Sequence, residues 1–201
     1  MWTPTIAGPF LVVRAGSALE ELEDAAGVRL PTARGEGALF AIADGATESY
    51  MSGEWARELA HRFCEQAARG HVDTSPWRRV KTWWLCLLMM LGMGDPSPPS
   101  DEDYFLACAR RSFKATRDAY IELRERQSQP PDCIERMQLE AGAHAAFLGL
   151  SLVPDFAGRT GSYTVEACGD VCLFHLREDS LLMAIPLSRA DQFSNYPELL
   201  S

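Results

Sequence analysis

The stretch 37-GALFAIADGATES-49 decides how this chain is read. Leu39 to Ala43 is a short apolar run, the pattern of a buried β-strand. It stops at Asp44-Gly45 and passes through small polar residues into a helical pattern. A strand that carries a carboxylate to its own end needs a partner for that charge, because ionised groups are rarely buried alone. A helix N-terminus, an arginine or a metal ion would serve. Asp-Gly is also a common turn dipeptide, so the motif gains meaning only from the rest of the chain.

Upstream, "LEDAAGVRL" (22–30) pairs naturally with "ALFAIAD" (38–44) as a hairpin, with "PTARGEG" as the linking loop. Such a long loop is expected to leave the acids at the open ends far apart. "PFLVVRAG" (Pro9 to Gly16) reads as an earlier strand closed by glycine. Downstream, Trp55, Leu59, Phe63 and Ala67 recur every four residues, which predicts an amphipathic helix from Ser52 to Gly70. "WRRVKTWWLCLLMMLGMG" (77–94) predicts a second helix, broken by "DPSPPS". Ser100 with Asp103 resembles a capping box. It opens a long helix with Phe105, Ala109, Phe113 and Tyr120 on one side, ended by Pro130-Pro131. "DCIERMQLEAG" is a further helical segment leading into the strand "AHAAFLGLSLV" (143–153). Last, "GSYTVEAC", "VCLFHLR" and "LLMAIPL" with turns at "GD" and "EDS" predict a three-stranded antiparallel meander. Strands, then helices, then strands is an α+β arrangement.

The 201 residues fit one domain, and a hydrophobic content of 47% is ample for a core. A net charge of −9 argues against nucleic acid and anionic membrane as partners. The most apolar run, Trp83 to Leu91, is far shorter than the roughly 20 residues of a membrane span. It is expected in the core or at a partner interface. The six cysteines form no CxxC pair and read as reduced thiols of a cytoplasmic protein. Cys168, Cys172 and His175 do not make a zinc site, since strand alternation turns His175 to the other face. His61 and His144 read as surface or core histidines.

"EELEDA", "FAIADGATES" and "SGEWARELA", in that order, resemble the opening of the metal-dependent serine/threonine protein phosphatases of type 2C. "GAHAAFLGLSL" is similar to the central strand of that family, and "SYTVEACGDVCLFHLREDSLL" to its later strand, Gly-Asp turn and strand. The resemblance spans about residues 10–190, with a helical segment of about 76–140 inserted between strands. It implies a four-layer α-β-β-α sandwich of two antiparallel sheets flanked by helices, C-terminally incomplete. It also implies hydrolysis of phosphoserine and phosphothreonine by metal-activated water, with two Mg²⁺ or Mn²⁺ ions as cofactors and a phosphorylated protein as partner.

By that resemblance Asp44 bridges two metals and, with Asp24, forms the catalytic pair. Glu23 ligates one of them largely through water, Asp24 holds a metal-bound water or lies just behind the ligands, Gly45 offers its carbonyl, and Asp170 contributes to a further, weaker metal. The departures are specific. Ala46 stands where many members carry a proton-donating histidine, and Leu19 where a phosphate-gripping arginine is common. Arg14 is the nearest substitute. The two later aspartates of the family have no counterpart, and Asp191 matches neither. The alternatives are a catalytically incomplete phosphatase-like regulatory or binding module, and an unrelated α+β protein whose acids, Glu20, Glu21, Glu23 and Asp24 among them, are solvated turns. The chain by itself is expected to be a weak or inactive phosphatase.

Overall fold

The computed structural model describes residues 22–31, 37–47, 49–70, 101–154, 161–194 and 197–201, with the side chains of 66–70, 101–104 and 154 excepted. Expectations for the strand at Pro9 to Gly16, for Arg14, Leu19, Glu20 and Glu21, for the Ser100 cap and for Trp83 to Leu91 lie outside these residues. So does the side chain of Ala67.

The order of elements is β1 (Asp24–Arg29), β2 (Ala38–Gly45), α1 (Ser52–Gly70), α2 (Asp101–Arg126), α3 (Cys133–Ala141), β3 (Ala145–Pro154), β4 (Gly161–Cys168), β5 (Leu173–Arg177) and β6 (Ser180–Ile185). The class is α+β. Strands β1 to β4 form one antiparallel sheet in sequential order, and β5 with β6 forms a second. The hairpin of β1 and β2 is present, and the helices fall between β2 and β3.

Alternation along β2 explains how the sheet meets the helices. Leu39, Ala41 and Ala43 are buried, whereas Ile42 is 47% exposed. The run is therefore buried on one face only, which corrects the reading of a fully buried strand. The buried face receives α1 through Trp55, Leu59 and Phe63, all at or below 2% exposure. Their spacing of four puts them on one helix stripe. Phe63, Phe105 and Phe147 close the core from α1, α2 and β3, with ring centroids 5.4–5.8 Å apart. Such tilted and edge-on contacts are the preferred aromatic geometry. Burying each of these side chains contributes about 2–3 kcal/mol. On α2, Ala109 is buried, Phe113 packs against the core, and the Tyr120 hydroxyl lies 2.7 Å from that of Tyr50. Asp132 caps α3, accepting from the backbone N–H groups of Ile134 and Glu135 in a full capping box.

The three-stranded meander does not form. β4 pairs with β3, and β5 pairs only with β6 among the described residues. The chain leaves the first sheet at Gly169, whose φ of +93° is a left-handed conformation that suits glycine. Beyond that bend Leu200 takes the place beside β3, exchanging two backbone hydrogen bonds with Ala145 (2.9 and 3.1 Å). The Trp55 indole N–H also donates to the Leu200 carbonyl at 2.9 Å. The two sheets still touch, through the Tyr163 hydroxyl and His175 Nδ1 at 2.8 Å. No described helix is long and apolar enough to cross a membrane. The described cysteines Cys64, Cys108, Cys133, Cys168 and Cys172 are free thiols.

Candidate metal centre

The register of β1 and β2 places Asp24 directly opposite Asp44. The linking loop closes the far end of the hairpin, so its open end is where the two strands carry their acids side by side. The expectation that the hairpin would hold these acids apart is thus overturned: separation along the loop does not matter once the register is set. On the other side of β2, Asp44 pairs with Ala146. Gly169 then packs against Ala146, so close that a Cβ on the glycine would lie 2.6 Å from the alanine methyl. Asp24, Asp44, Ala146 and the Gly169-Asp170 turn therefore form a row across one end of the sheet.

Gly45 explains itself by contact. A Cβ there would stand 2.8 Å from the backbone of Ser52 and 2.9 Å from the Glu23 carbonyl oxygen. That is closer than real carbon contacts allow, so only glycine lets β2, α1 and the residue preceding β1 converge. The Gly45 N–H donates to the Glu23 carbonyl at 3.2 Å, and the Ser52 hydroxyl donates to Glu23 Oε1 at 2.9 Å. Ser52 itself is buried. The Glu23 carboxylate is thereby held at the first turn of α1, where the helix dipole favours negative charge.

The loop leaving Gly45 is anchored too. The Ala46 N–H donates to the His144 carbonyl at 2.9 Å, and the His144 N–H donates to the Ser49 hydroxyl at 3.0 Å. Tyr50 is tied to α2 through Tyr120, whose hydroxyl accepts from Arg124 at 2.6 Å. His144 thus acts here through its backbone. His61 lies exposed on α1 beside Glu65 at 3.2 Å.

Electrostatics mark the same place. The Asp44 carboxyl is pushed up to about 6, first by partial burial, then by a side-chain hydrogen bond with Asp24, then by the charges of Asp24, Asp170 and Glu23. The three other candidate acids, Glu23, Asp24 and Asp170, all act on the Asp44 carboxyl. A proton on Asp44, hydrogen-bonded to Asp24, relieves the repulsion of two facing carboxylates. Among the described residues no three acid, histidine or cysteine side chains are preassembled as a metal cage. The Asp24 side chain is hydrogen-bonded to Asp44, on which Glu23 and Asp170 act through charge.

The donor set fits a hard divalent cation. It is all oxygen, and negative charge gathers around Asp44. Asp191 stands apart, paired with Arg189 beside the 3-10 turn Ala190–Gln192. Cys172 and His175 do not join a site: the Cys172 thiol contacts the Asp170 carbonyl at 3.4 Å, and His175 is engaged with Tyr163. The role of Ser52 in holding Glu23 was missed in the sequence. Its signal was available, since Ser52 opens the helical pattern directly after the acidic motif.

No protein-family model matches the chain, nor does any curated protein or solved structure.

Proposed function

We propose that this chain is a metal-dependent phosphohydrolase of the type 2C protein phosphatase kind, acting on phosphoserine and phosphothreonine in proteins. One observation carries the reading: Asp44 feels Asp24, Asp170 and Glu23 together at one end of the sheet, with Gly45 leaving no room for a side chain behind them. A proton on Asp44 offsets only part of the negative charge of four neighbouring acids, and a cation would supply the rest. Glu23, Asp24, Asp44 and the Gly45 carbonyl would hold Mg²⁺ or Mn²⁺, with Asp170 at the margin. Such ions, when bound, neutralise phosphoryl oxygens and acidify water.

The chain's own groups have defined tasks in this reading. Ser52 fixes the rotamer of Glu23 through its hydroxyl. Asp44 holds its proton against Asp24, and losing that proton would leave both carboxylates able to hold a cation. The bonds from Ala46 and Ser49 to His144 keep the following loop in place. A second sheet stacked on the open face of the first would complete a four-layer sandwich. Val28 and Ile42, 43% and 47% exposed on that face, support this. A cytoplasmic location and a phosphorylated protein partner belong to the same proposal.

Ala46 favours a second reading, a phosphatase-like module that binds without cleaving. It offers only a methyl group where a leaving-group acid is expected. Hydrolysis of a phosphothreonine peptide with Mn²⁺ separates the two. Turnover that drops at least about 100-fold in Asp44→Asn, about 2.7 kcal/mol of transition-state stabilisation, supports the enzyme. Metal binding without turnover supports the binding module.

A further inference from the structure

A cavity of about 340 Å³ lies between the turn after β4 and the segments that follow β6. Asp170 and Glu198 are the ionisable carboxylates in its wall, Pro186 and Leu187 give it apolar sides, and no lysine, arginine or histidine lines it among the described residues. Cys168 also lines it. Burial, and then the charge of Glu198, pushes that thiol up, which keeps it neutral. Its S–H points to the Glu198 carbonyl at 3.5 Å. A Cβ on Gly169 would lie 3.1 Å from the same carbonyl, so the turn and the C-terminal segment are closely packed here. The cavity is therefore a concavity with two acidic residues, apolar sides and, among the described residues, no basic side chain in its lining.

A ligand that matches this wall carries one positive group on an apolar stem. Lysine and arginine side chains have that form, with methylenes that lie on apolar surface and a charged head that seeks carboxylates. A guanidinium gains most, because its planar fork pairs with carboxylates. Asp170 joins the cavity to the acidic row, since its charge also reaches Asp44. We propose that this cavity holds an arginine or lysine side chain of the substrate polypeptide, with Asp170 and Glu198 as its counter-charges. The inference rests on the reading of the acidic row as the phosphate-cleaving centre and deepens it: the substrates are phosphoproteins with a basic residue near the phosphorylated one.

Binding is the direct test, because it needs neither metal nor turnover. The probe is a capped, unphosphorylated Arg-Ala-Thr-Ala peptide, titrated by calorimetry in chelator, beside the same peptide with citrulline in place of arginine. The native chain should bind the arginine peptide at least about tenfold more tightly. Glu198→Gln, and Asp170→Asn independently, should remove that preference. Glu125→Gln on α2, which deletes the same charge from an exposed helix position, should keep it. Thermal melting of each variant shows that the fold is retained. Equal affinity for the two peptides, or an equal loss in Glu125→Gln, overturns the proposal. A preference that stands while phosphothreonine peptides are not hydrolysed would retain the cavity assignment and fail the phosphatase reading alone.

Discussion

Asp24 and Asp44 face each other as direct cross-strand partners at the open end of the β1–β2 hairpin. Like charges in that position weaken a sheet, and here partial burial, a hydrogen bond to Asp24 and the neighbouring charges push Asp44 up to about 6.

The first prediction concerns pH in the absence of metal. Asp44 binds its proton more tightly folded than unfolded, because its ordinary value of 3.8 is raised to about 6. Its contribution is therefore fully present below about 4 and is lost as pH rises through about 6. Asp44 keeps solvent contact, so screening reduces the effect to about 1 kcal/mol. Urea denaturation between pH 4 and 7 in chelator should show native stability falling relative to Asp44→Asn. Parallel curves for the two chains would contradict the proton held by Asp44.

Gly45→Ala should destabilise the fold by about 1–3 kcal/mol, the usual range for forcing a group into filled space. The added methyl would meet backbone atoms of Ser52 and Glu23, which cannot swing aside as a side chain can. Urea denaturation measures it, and the Ser52–Glu23 contact should loosen with it. A variant as stable as the native chain would show that β2 and α1 are not held at this distance.

Trp55→Phe tests the docking of the C-terminal segment. The ring remains and still packs near Phe113, at 5.4 Å between centroids. The N–H to the Leu200 carbonyl is lost, and a gap is left. A cost of about 1–2 kcal/mol follows from one hydrogen bond and imperfect filling. Amide exchange should accelerate at Ala145 and Leu200, which bond each other. Unchanged exchange at both would place the stabilising contact elsewhere.

The strand before Asp44 and the helix after it were legible in the sequence because an apolar run and a period-4 spacing are local properties. That only Leu39, Ala41 and Ala43 face the helix stripe of Trp55, Leu59 and Phe63 was not, since the run is apolar throughout. The register was not legible, since it depends on which face is buried over the whole hairpin, and it alone sets Asp24 against Asp44. Nor was the exit of the chain at Gly169 legible. "CGDV" spells a turn, but a hairpin turn and a departure from the sheet use the same residues. What selects departure is tertiary: Leu200 occupies the place beside Ala145. The role of Asp170 follows from the same bend, which sets it in the row that acts on Asp44.

The most direct test of the account is calorimetric titration of the native chain and Asp44→Asn with Mn²⁺ at pH 6 and pH 7. The account predicts binding by the native chain, with at least about 100-fold weaker affinity in Asp44→Asn. It also predicts proton release at pH 6, visible as heat that changes with the ionisation enthalpy of the buffer, because the cation displaces the proton that Asp44 holds against Asp24. Equal affinity in the two chains, or binding with no proton release at pH 6, would contradict the assignment of this carboxylate pair as a metal centre.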